Sequence, residues 1–243
     1  WNSYEESNRR GLMELGFYQG LHKVFEIIHQ KYPSVWLETC ASGGRLIDLA
    51  QLKHFHSIWI HDQSTDYDWN RNYRSGMNRF LPAVYLQSAF FINPGVLTKK
   101  PNSTEFQSHH LLTSFGGTFQ FGQGLCFWKE SDVKEASRYV SEYKRYRHYL
   151  EKDYYELFSL PESRNAWDGW HYHDQETKSG ILVLFRLKQS KEDERMVNLL
   201  GLKDGQRYSY SVVLGEAKIE ENKDGLRIHL PPDTAVLIHY EPK

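Results

Sequence analysis

The feature that most constrains the fold is an alternation of helical and strand-like segments over residues 16–122. GFYQGLHKVFEIIHQKYP has the apolar spacing of an amphipathic helix and ends at Pro33, and the short apolar run SVWLET after it predicts a strand. Strands that alternate with helices at this spacing indicate βαβ units and a parallel sheet. The alternation continues as helix RLIDLAQLKHF, strand SIWIH, helix NRNYRSGMNRF, strand VYLQSAFFIN, helix EFQSHHLLTSF and strand GTFQFG.

The pattern changes after a long charged helix that we predict from about Ser131 to Lys152. The rest of the chain is a series of strand-like runs separated by turn residues, including Lys-Asp-Gly at 203–205 and again at 223–225. We therefore predict a small antiparallel sheet domain, with the boundary near Pro161. The strand-like runs are AWDGWHYHD, GILVLFRLK, ERMVNLLGL, RYSYSVVL, GLRIHL and TAVLIHY.

Composition excludes some classes of function. The formal net charge of −1 argues against a surface that follows nucleic-acid phosphates. No apolar run approaches the ~20 residues of a membrane-spanning helix, and the polar start WNSYEESNRR does not resemble a secretion signal. Two cysteines make no disulfide framework, so the sequence leaves the redox compartment open. It also leaves homo-oligomerisation open.

Two apolar runs end in polar side chains, VWLETCASGGRLID at 35–48 and IWIHDQSTD at 58–66. In parallel α/β folds, ligands meet the carboxyl ends of the strands, which is where both clusters lie. Asp62 follows the second run, and on position alone it is either a functional carboxylate or a helix cap. Asp48 lies inside the second predicted helix and reads as structural. Trp36 and Trp59 precede the strand ends and are predicted core residues.

The residues CASGG at 40–44, WIHD at 59–62 and TD at 65–66 resemble the α-galactosidases of glycoside hydrolase family 36. That family shows C-S-S-G-G-G-R-x-D at one strand end of its barrel and W-x-S-D-N-T-D at the next. YKRYRHYLEKDYYELF and AWDGWHYHDQETKSGILVLFR are also similar to the stretch that leads into the family's C-terminal β domain. The resemblance covers nearly the whole chain.

The resemblance implies an α/β fold. Residues 1–160 would form roughly the second half of a (β/α)8 TIM barrel, and residues 161–243 an antiparallel β-sandwich domain. It also implies retaining hydrolysis of terminal α-galactosides, which needs two carboxyl groups about 5–5.5 Å apart. Asp62 matches the acid/base. Asn2 matches the last position of the nucleophile motif K-x-D-x-N, so we expect the nucleophilic Asp directly before Trp1 and no turnover by these 243 residues alone.

The same resemblance gives sugar contacts to Asn2, Cys40, Gly43 and Asp66. Without it, Cys40 reads as a buried thiol and Gly43 as a turn glycine, and a helix cap remains an equal reading for Asp66. The sequence departs from the family pattern in four places, which leave the sugar preference open. His61 replaces the usual Ser, Gln-Ser at 63–64 replaces one Asn, Arg45 replaces the third Gly, and Leu46 replaces the Arg.

Twelve histidines raise the question of a metal site. His171 and His173 would share one face of a strand, but no clear set of further ligands accompanies them, which favours hydrogen-bonded histidines over zinc. The family uses no metal for catalysis, and we expect no cofactor. The leading hypothesis is a retaining α-galactosidase that takes an oligosaccharide or glycoside. The alternatives are an α-N-acetylgalactosaminidase or transglycosylase of the same fold, or a non-catalytic carbohydrate-binding protein.

Overall fold

Among the residues that the structure describes, helices and strands alternate up to residue 122, and strands predominate after residue 152. The computed structural model describes residues 6–62, 67–90, 107–122, 128–159, 166–202, 205–222 and 225–243. Among these residues, no helix is both long enough and apolar enough to cross a membrane. The α-helices are α1 (Leu12–Lys31), α2 (Leu49–Leu52), α3 (Tyr67–Met77) and α4 (Glu130–Tyr146). The strands are β1 (Glu38–Thr39), β2 (Ser57–Trp59), β3 (Leu86–Phe90), β4 (Thr118–Phe121), β5 (Asp153–Glu156), β6 (Trp167–Asp174), β7 (Ser179–Arg186), β8 (Glu194–Val197), β9 (Tyr208–Leu214), β10 (Lys218–Asn222), β11 (Gly225–His229) and β12 (Thr234–Pro242).

The chain divides into two compact units, residues 1–59 and 60–243. In the first unit, α1 begins four residues before the predicted start, directly after Gly11, whose φ of 85° suits glycine. The Phe25 ring of α1 packs edge-on against Phe55 at 4.9 Å between centroids, although none of the helix residues is fully buried. Strands β1 and β2 pair in parallel, as the helix–strand alternation predicts.

The helix predicted over residues 45–55 is much shorter in the structure. Only the four residues of α2 are α-helical, and Asp48 lies just before them as the N-cap. Its carboxylate Oδ1 accepts hydrogen bonds of 2.9 Å from the backbone N–H groups of Ala50 and Gln51. The placement of Asp48 inside a helix is therefore wrong. Its short side chain satisfies N–H groups that have no partner within the helix, which fixes where the helix starts.

In the second unit, β3 and β4 again pair in parallel, with Gln87 opposite Thr118. The α-helix predicted over residues 105–115 is instead a 3-10 helix, Ser108–Gly116. There the Thr113 hydroxyl donates to the carbonyl of His110, three residues earlier, at 2.7 Å. Three residues is the repeat of the tighter 3-10 turn, so this bond supports that geometry. Helix α4 likewise continues past Tyr146 as a 3-10 segment, Arg147–Glu151.

The C-terminal strands form two antiparallel sheets, one in the order β5–β6–β7–β12–β9 and one in the order β10–β11–β8. Every residue of β6 and β7 is buried, because both faces of the five-stranded sheet are covered. Full coverage explains why ILVLF at 181–185 is continuously apolar instead of alternating. One face packs on the 3-10 helix and α4, and the other on the three-stranded sheet.

The structure therefore has an α/β fold with a β-sheet C-terminal part. One hydrophobic core joins Leu111, Phe115 and Tyr139 to Trp170 and Val183 of the large sheet. The predicted domain boundary near residue 161 lies outside the described residues and stays a prediction.

Candidate active site

The first predicted strand end lies in the first unit, directly after β1. Cys40 follows β1 with an exposed free thiol, so the reading of Cys40 as a buried thiol is wrong. Ser42, Gly43 and Gly44 then form a turn with φ values of 48°, 73° and 86°. Such left-handed backbone favours glycine, and it exposes backbone groups that a large side chain would cover. This turn can therefore admit a ligand close to the main chain.

Trp36 does not lie in the core. Its side chain is 63% exposed, because it precedes the two-residue strand β1 and packs on one side only. The indole N–H donates to the Ser57 hydroxyl at 3.0 Å, and the ring stacks on His56 at 4.9 Å between centroids. The prediction that Trp36 is a core residue is therefore wrong. Trp59, the last residue of β2, is half-buried.

The second predicted strand end opens the second unit. Ile60 is 2% exposed, and its backbone N–H donates to the carbonyl of Gln87 at 3.1 Å, which ties this segment to β3. His61 is also buried, whereas Asp62 is exposed. The exposure therefore changes between residues 61 and 62, where the chain bends shortly after the end of β2. The Asp62 carboxylate is thus accessible to a substrate.

His61 is held by two residues of α3. Its Nε2 lies 2.8 Å from the Oδ1 of Asn70, and its ring stacks on Tyr73 with 4.6 Å between centroids and 13° between planes. The sequence carried a signal for this cluster, because residues 70 and 73 are one helical turn apart and share a face. However, only the packing of α3 determines that this face contacts His61.

Helix α3 is attached to the large sheet by a buried ion pair. The Arg71 Nε lies 2.6 Å from the Oδ2 of Asp168 on β6, and the Nη1 of Arg71 lies 2.9 Å from the Oδ1 of Asp68. Burial raises the pKa of the Asp168 carboxyl, while Arg71 and the N–H of Gly169 oppose that shift by stabilising the carboxylate. The ion pair keeps α3 in one position relative to β6.

A second buried arginine attaches α3 to the 3-10 helix and to β4. Arg74 is 1% exposed and donates to the carbonyls of Ser114 and Thr118 at 3.4 and 3.1 Å. Burial lowers its pKa to about 10, so Arg74 stays protonated at neutral pH. Two charged anchors therefore hold the helix that follows the second strand end.

An aromatic pair lies at the start of α3. The rings of Tyr67 and His110 stack at 3.8 Å between centroids, and burial raises the pKa of the Tyr67 hydroxyl. Beside them, burial lowers the pKa of His109. His109 and His110 are neighbours in the sequence, but nothing there points to Tyr67, since only the fold brings residue 67 to the 3-10 helix.

Three of the five predicted site residues lie in the part of the chain that the structure describes. Asn2 and Asp66 lie outside the described residues, and the expected nucleophile lies outside the sequence. Cys40 and Gly43 lie together in the first unit, and Asp62 lies in the second. Their roles in binding and catalysis stay predictions.

The histidines do not form a metal centre in the part of the chain that the structure describes, where no group of three or more His, Cys, Asp or Glu residues could hold an ion. His171 and His173 share a face of β6, as predicted. The hydroxyl of Tyr240 lies 2.7 Å from the Nε2 of His171 and 2.6 Å from the Nδ1 of His173. The prediction that this pair is hydrogen-bonded is confirmed.

The family model for melibiase matches residues 2–153. The match covers more than half of the 243 residues and includes both strand ends described above. The chain belongs to the melibiase family. The resemblance to the family 36 α-galactosidases is thereby confirmed.

The relatives of this melibiase-family chain include alpha-galactosidase 2 of Hypocrea jecorina, with 25% identity over 188 residues, 74% of this chain and 25% of the relative. Probable alpha-galactosidase G of Emericella nidulans is 23% identical over 190 residues, 78% of this chain and 26% of the relative. The chain thus spans about a quarter of the length of these relatives.

Solved structures share the fold of this melibiase-family chain. A family 36 α-galactosidase from Geobacillus stearothermophilus superposes with a TM-score of 0.75 at 18% identity, over 99% of this chain and 33% of that one. A variant of that enzyme in complex with stachyose gives 0.77 at 18% identity over the same shares. The α-galactosidase from Lactobacillus brevis gives 0.75 at 18% identity, again over 99% and 33%.

Proposed function

We propose that this chain is part of a retaining α-galactosidase-type glycoside hydrolase that acts on terminal α-galactosides by double displacement. Residues 1–160 would supply the second half of a (β/α)8 barrel and residues 161–243 an antiparallel β-sandwich. Family membership supports this proposal, as do the parallel pairs β1–β2 and β3–β4. The apolar cluster shared by the two antiparallel sheets supports the sandwich.

One observation carries the proposal: Asp62 is an exposed carboxylate three residues past the end of β2, within the segment that matches the family. We assign it as the acid/base. Asp62 would protonate the leaving oxygen while the nucleophile attacks the anomeric carbon and forms a galactosyl ester. Asp62 would then take a proton from the water that attacks this ester, which releases galactose and restores the nucleophile.

The remaining roles follow the resemblance. The nucleophile would be an Asp directly before Trp1, and Asn2, Cys40, Gly43 and Asp66 would contact the sugar. The exposed thiol of Cys40 and the left-handed turn at Gly43 support such contacts, because both leave room for a ligand at the strand end. The related enzyme solved with stachyose supports a galactoside oligosaccharide as substrate.

The test compares aryl α-galactosides with good and poor leaving groups in the full-length protein that carries these residues. A good leaving group departs without a proton, whereas a poor one needs general-acid help, so Asp62→Asn should lower turnover of the poor substrate by about 100-fold or more. Turnover of the good substrate should become limited by hydrolysis of the galactosyl-enzyme. Azide should then accelerate it and give α-galactosyl azide, because azide needs no general base.

The matched control is Asp48→Asn, at a carboxylate that caps α2. Asn caps a helix as well as Asp does, so α2 should persist and the leaving-group dependence should stay that of the wild type. Full turnover of the poor substrate by Asp62→Asn would show that another group is the acid. A β-configured azide product would instead make Asp62 the nucleophile. Galactoside binding without turnover in the wild type would favour the carbohydrate-binding alternative, and a panel of nitrophenyl sugars separates galactose from N-acetylgalactosamine preference.

A further inference from the structure

His61 lies directly before the proposed acid/base and is only 2% exposed. The structure surrounds its imidazole with groups that fix its orientation. The Oδ1 of Asn70 is 2.8 Å from Nε2, so Nε2 carries the hydrogen that this oxygen accepts. The face of the ring lies against Tyr73, nearly parallel to it.

We infer that His61 is a positioning residue, clamped by Asn70 and Tyr73 so that Asp62 is held in the orientation for proton transfer to and from the glycosidic oxygen. This inference rests on the proposed function. His61 does not touch the reacting atoms in this scheme. It acts through the backbone that it shares with Asp62.

The physical link is the backbone that these two neighbouring residues share. His61 is buried and Asp62 is exposed, so an imidazole held in one place fixes the backbone from which the Asp62 side chain starts. The backbone N–H of Ile60 fixes the preceding residue by its bond to Gln87. A free carboxylate on an unanchored segment would sample many orientations, and a misplacement of about 1 Å can cost about 100-fold in rate.

Asn70 and Tyr73 are held in place because helix α3 is attached to the rest of the unit at two points. Arg71 joins α3 to Asp168 of β6, and Arg74 joins it to the carbonyls of Ser114 and Thr118. Asn70 and Tyr73 come from the same helix, on either side of Arg71 in the sequence. The C-terminal sheet thus contributes to the site without reaching it, since it holds the helix that holds His61.

The test measures the leaving-group dependence of turnover in the full-length protein. Tyr73→Ala and Asn70→Ala should each lower kcat for a poor leaving group by about 10-fold or more, with KM within about threefold, because only proton transfer is impaired. For the substrate with the good leaving group, kcat should fall by less than about threefold. Asn70→Asp keeps an oxygen that accepts from Nε2, and Tyr73→Phe keeps the ring, so both should restore most of the lost kcat.

Gly76→Ala is the control on the same helix, because a Cβ there meets no atom within 4 Å. Its kcat for both substrates should equal that of the wild type. If the role of these residues were merely structural, kcat for both substrates would fall together in proportion to the folded fraction measured by circular dichroism. That result would overturn the inference. Tyr73 is 38% exposed, so Tyr73→Ala provides a folded test if Asn70→Ala does not fold.

The two proposals fail differently. If Asp62→Asn shows no selective loss with the poor leaving group, the acid/base assignment fails and this inference fails with it. If Asp62→Asn shows that loss while Tyr73→Ala and Asn70→Ala both leave the poor substrate unaffected, only the positioning role of His61 is refuted.

Discussion

Protonation of His171 should destabilise the second unit strongly as the pH falls. His171 on β6 is fully buried, and its Nε2 shares the single hydroxyl of Tyr240 with the Nδ1 of His173. That hydroxyl donates one hydrogen, so one ring accepts from it and the other donates to it when both rings are neutral. A proton on His171 would put a charge where no water can reach it.

The structure gives the size of this effect. Burial, together with the neighbouring His173, lowers the pKa of His171 from its ordinary 6.5 to about 3. Between these values the unfolded chain binds the proton and the folded chain does not, so the free energy of unfolding falls as the pH falls. The loss from this group is about 2 kcal/mol between pH 7.5 and pH 5, and it approaches about 5 kcal/mol below pH 3.

The assay is urea unfolding at pH 7.5 and pH 5, followed by tryptophan fluorescence, to which Trp167 and Trp170, both before His171 on β6, contribute. His171→Gln removes the titrating ring but keeps a nitrogen or oxygen near Nε2, so part of the bond to Tyr240 survives. Between pH 7.5 and pH 5, the free energy of unfolding of the variant should fall by about 2 kcal/mol less than that of the wild type. His148 is an exposed histidine on the same unit. His148→Gln should change the loss of unfolding free energy between pH 7.5 and pH 5 by less than about 0.5 kcal/mol.

Parallel pH dependence of the wild type and His171→Gln would refute the reasoning. The result would mean that the folded protein protonates His171 as readily as the unfolded chain does. Burial among aromatic rings would then not be the dominant influence on this imidazole.

Three further changes test other parts of the structure. Asp168→Asn leaves Arg71 buried with a weaker partner and should cost about 3 kcal/mol of unfolding free energy by urea titration, whereas Glu135→Gln at a surface pair should cost under about 1 kcal/mol. Gly180→Ala puts a Cβ into the backbone carbonyl of the paired strand β6 and should lower stability by about 3 kcal/mol, seen as a lower Tm by calorimetry. Asp48→Ala removes the cap of α2 and should cost about 1 kcal/mol, seen as faster hydrogen exchange of the α2 amides while β6 and β7 stay protected.

Local patterns predicted most elements, because helix and strand periodicity is carried by neighbouring residues. The runs AWDGWHYHD and GILVLFRLK became β6 and β7 almost residue for residue. Helix ends were less accurate. Asp48 caps the start of the helix that the pattern placed around it, and the 3-10 turns of residues 108–116 have nearly the same apolar spacing as an α-helix.

Burial could not be predicted where it depends on partners far away in the chain. Trp36 has the character of a core residue, yet it packs on one side only and stays exposed. His61, a polar residue, is buried because Asn70 and Tyr73 of α3 cover it. The residues next to these side chains in the sequence determine neither outcome.

The sequence by itself determined the α/β alternation, the polar residues after β1 and β2, and the family motifs that single out Asp62. Those features depend on residue type and short spacing alone. Only the tertiary structure decided that α3 is anchored to β6, since Arg71 and Asp168 are 97 residues apart and their pairing depends on how the sheet packs. It also decided that His171 and His173 share the Tyr240 hydroxyl, because strand pairing and side-chain packing bring residues 69 and 67 positions apart to within 2.7 Å.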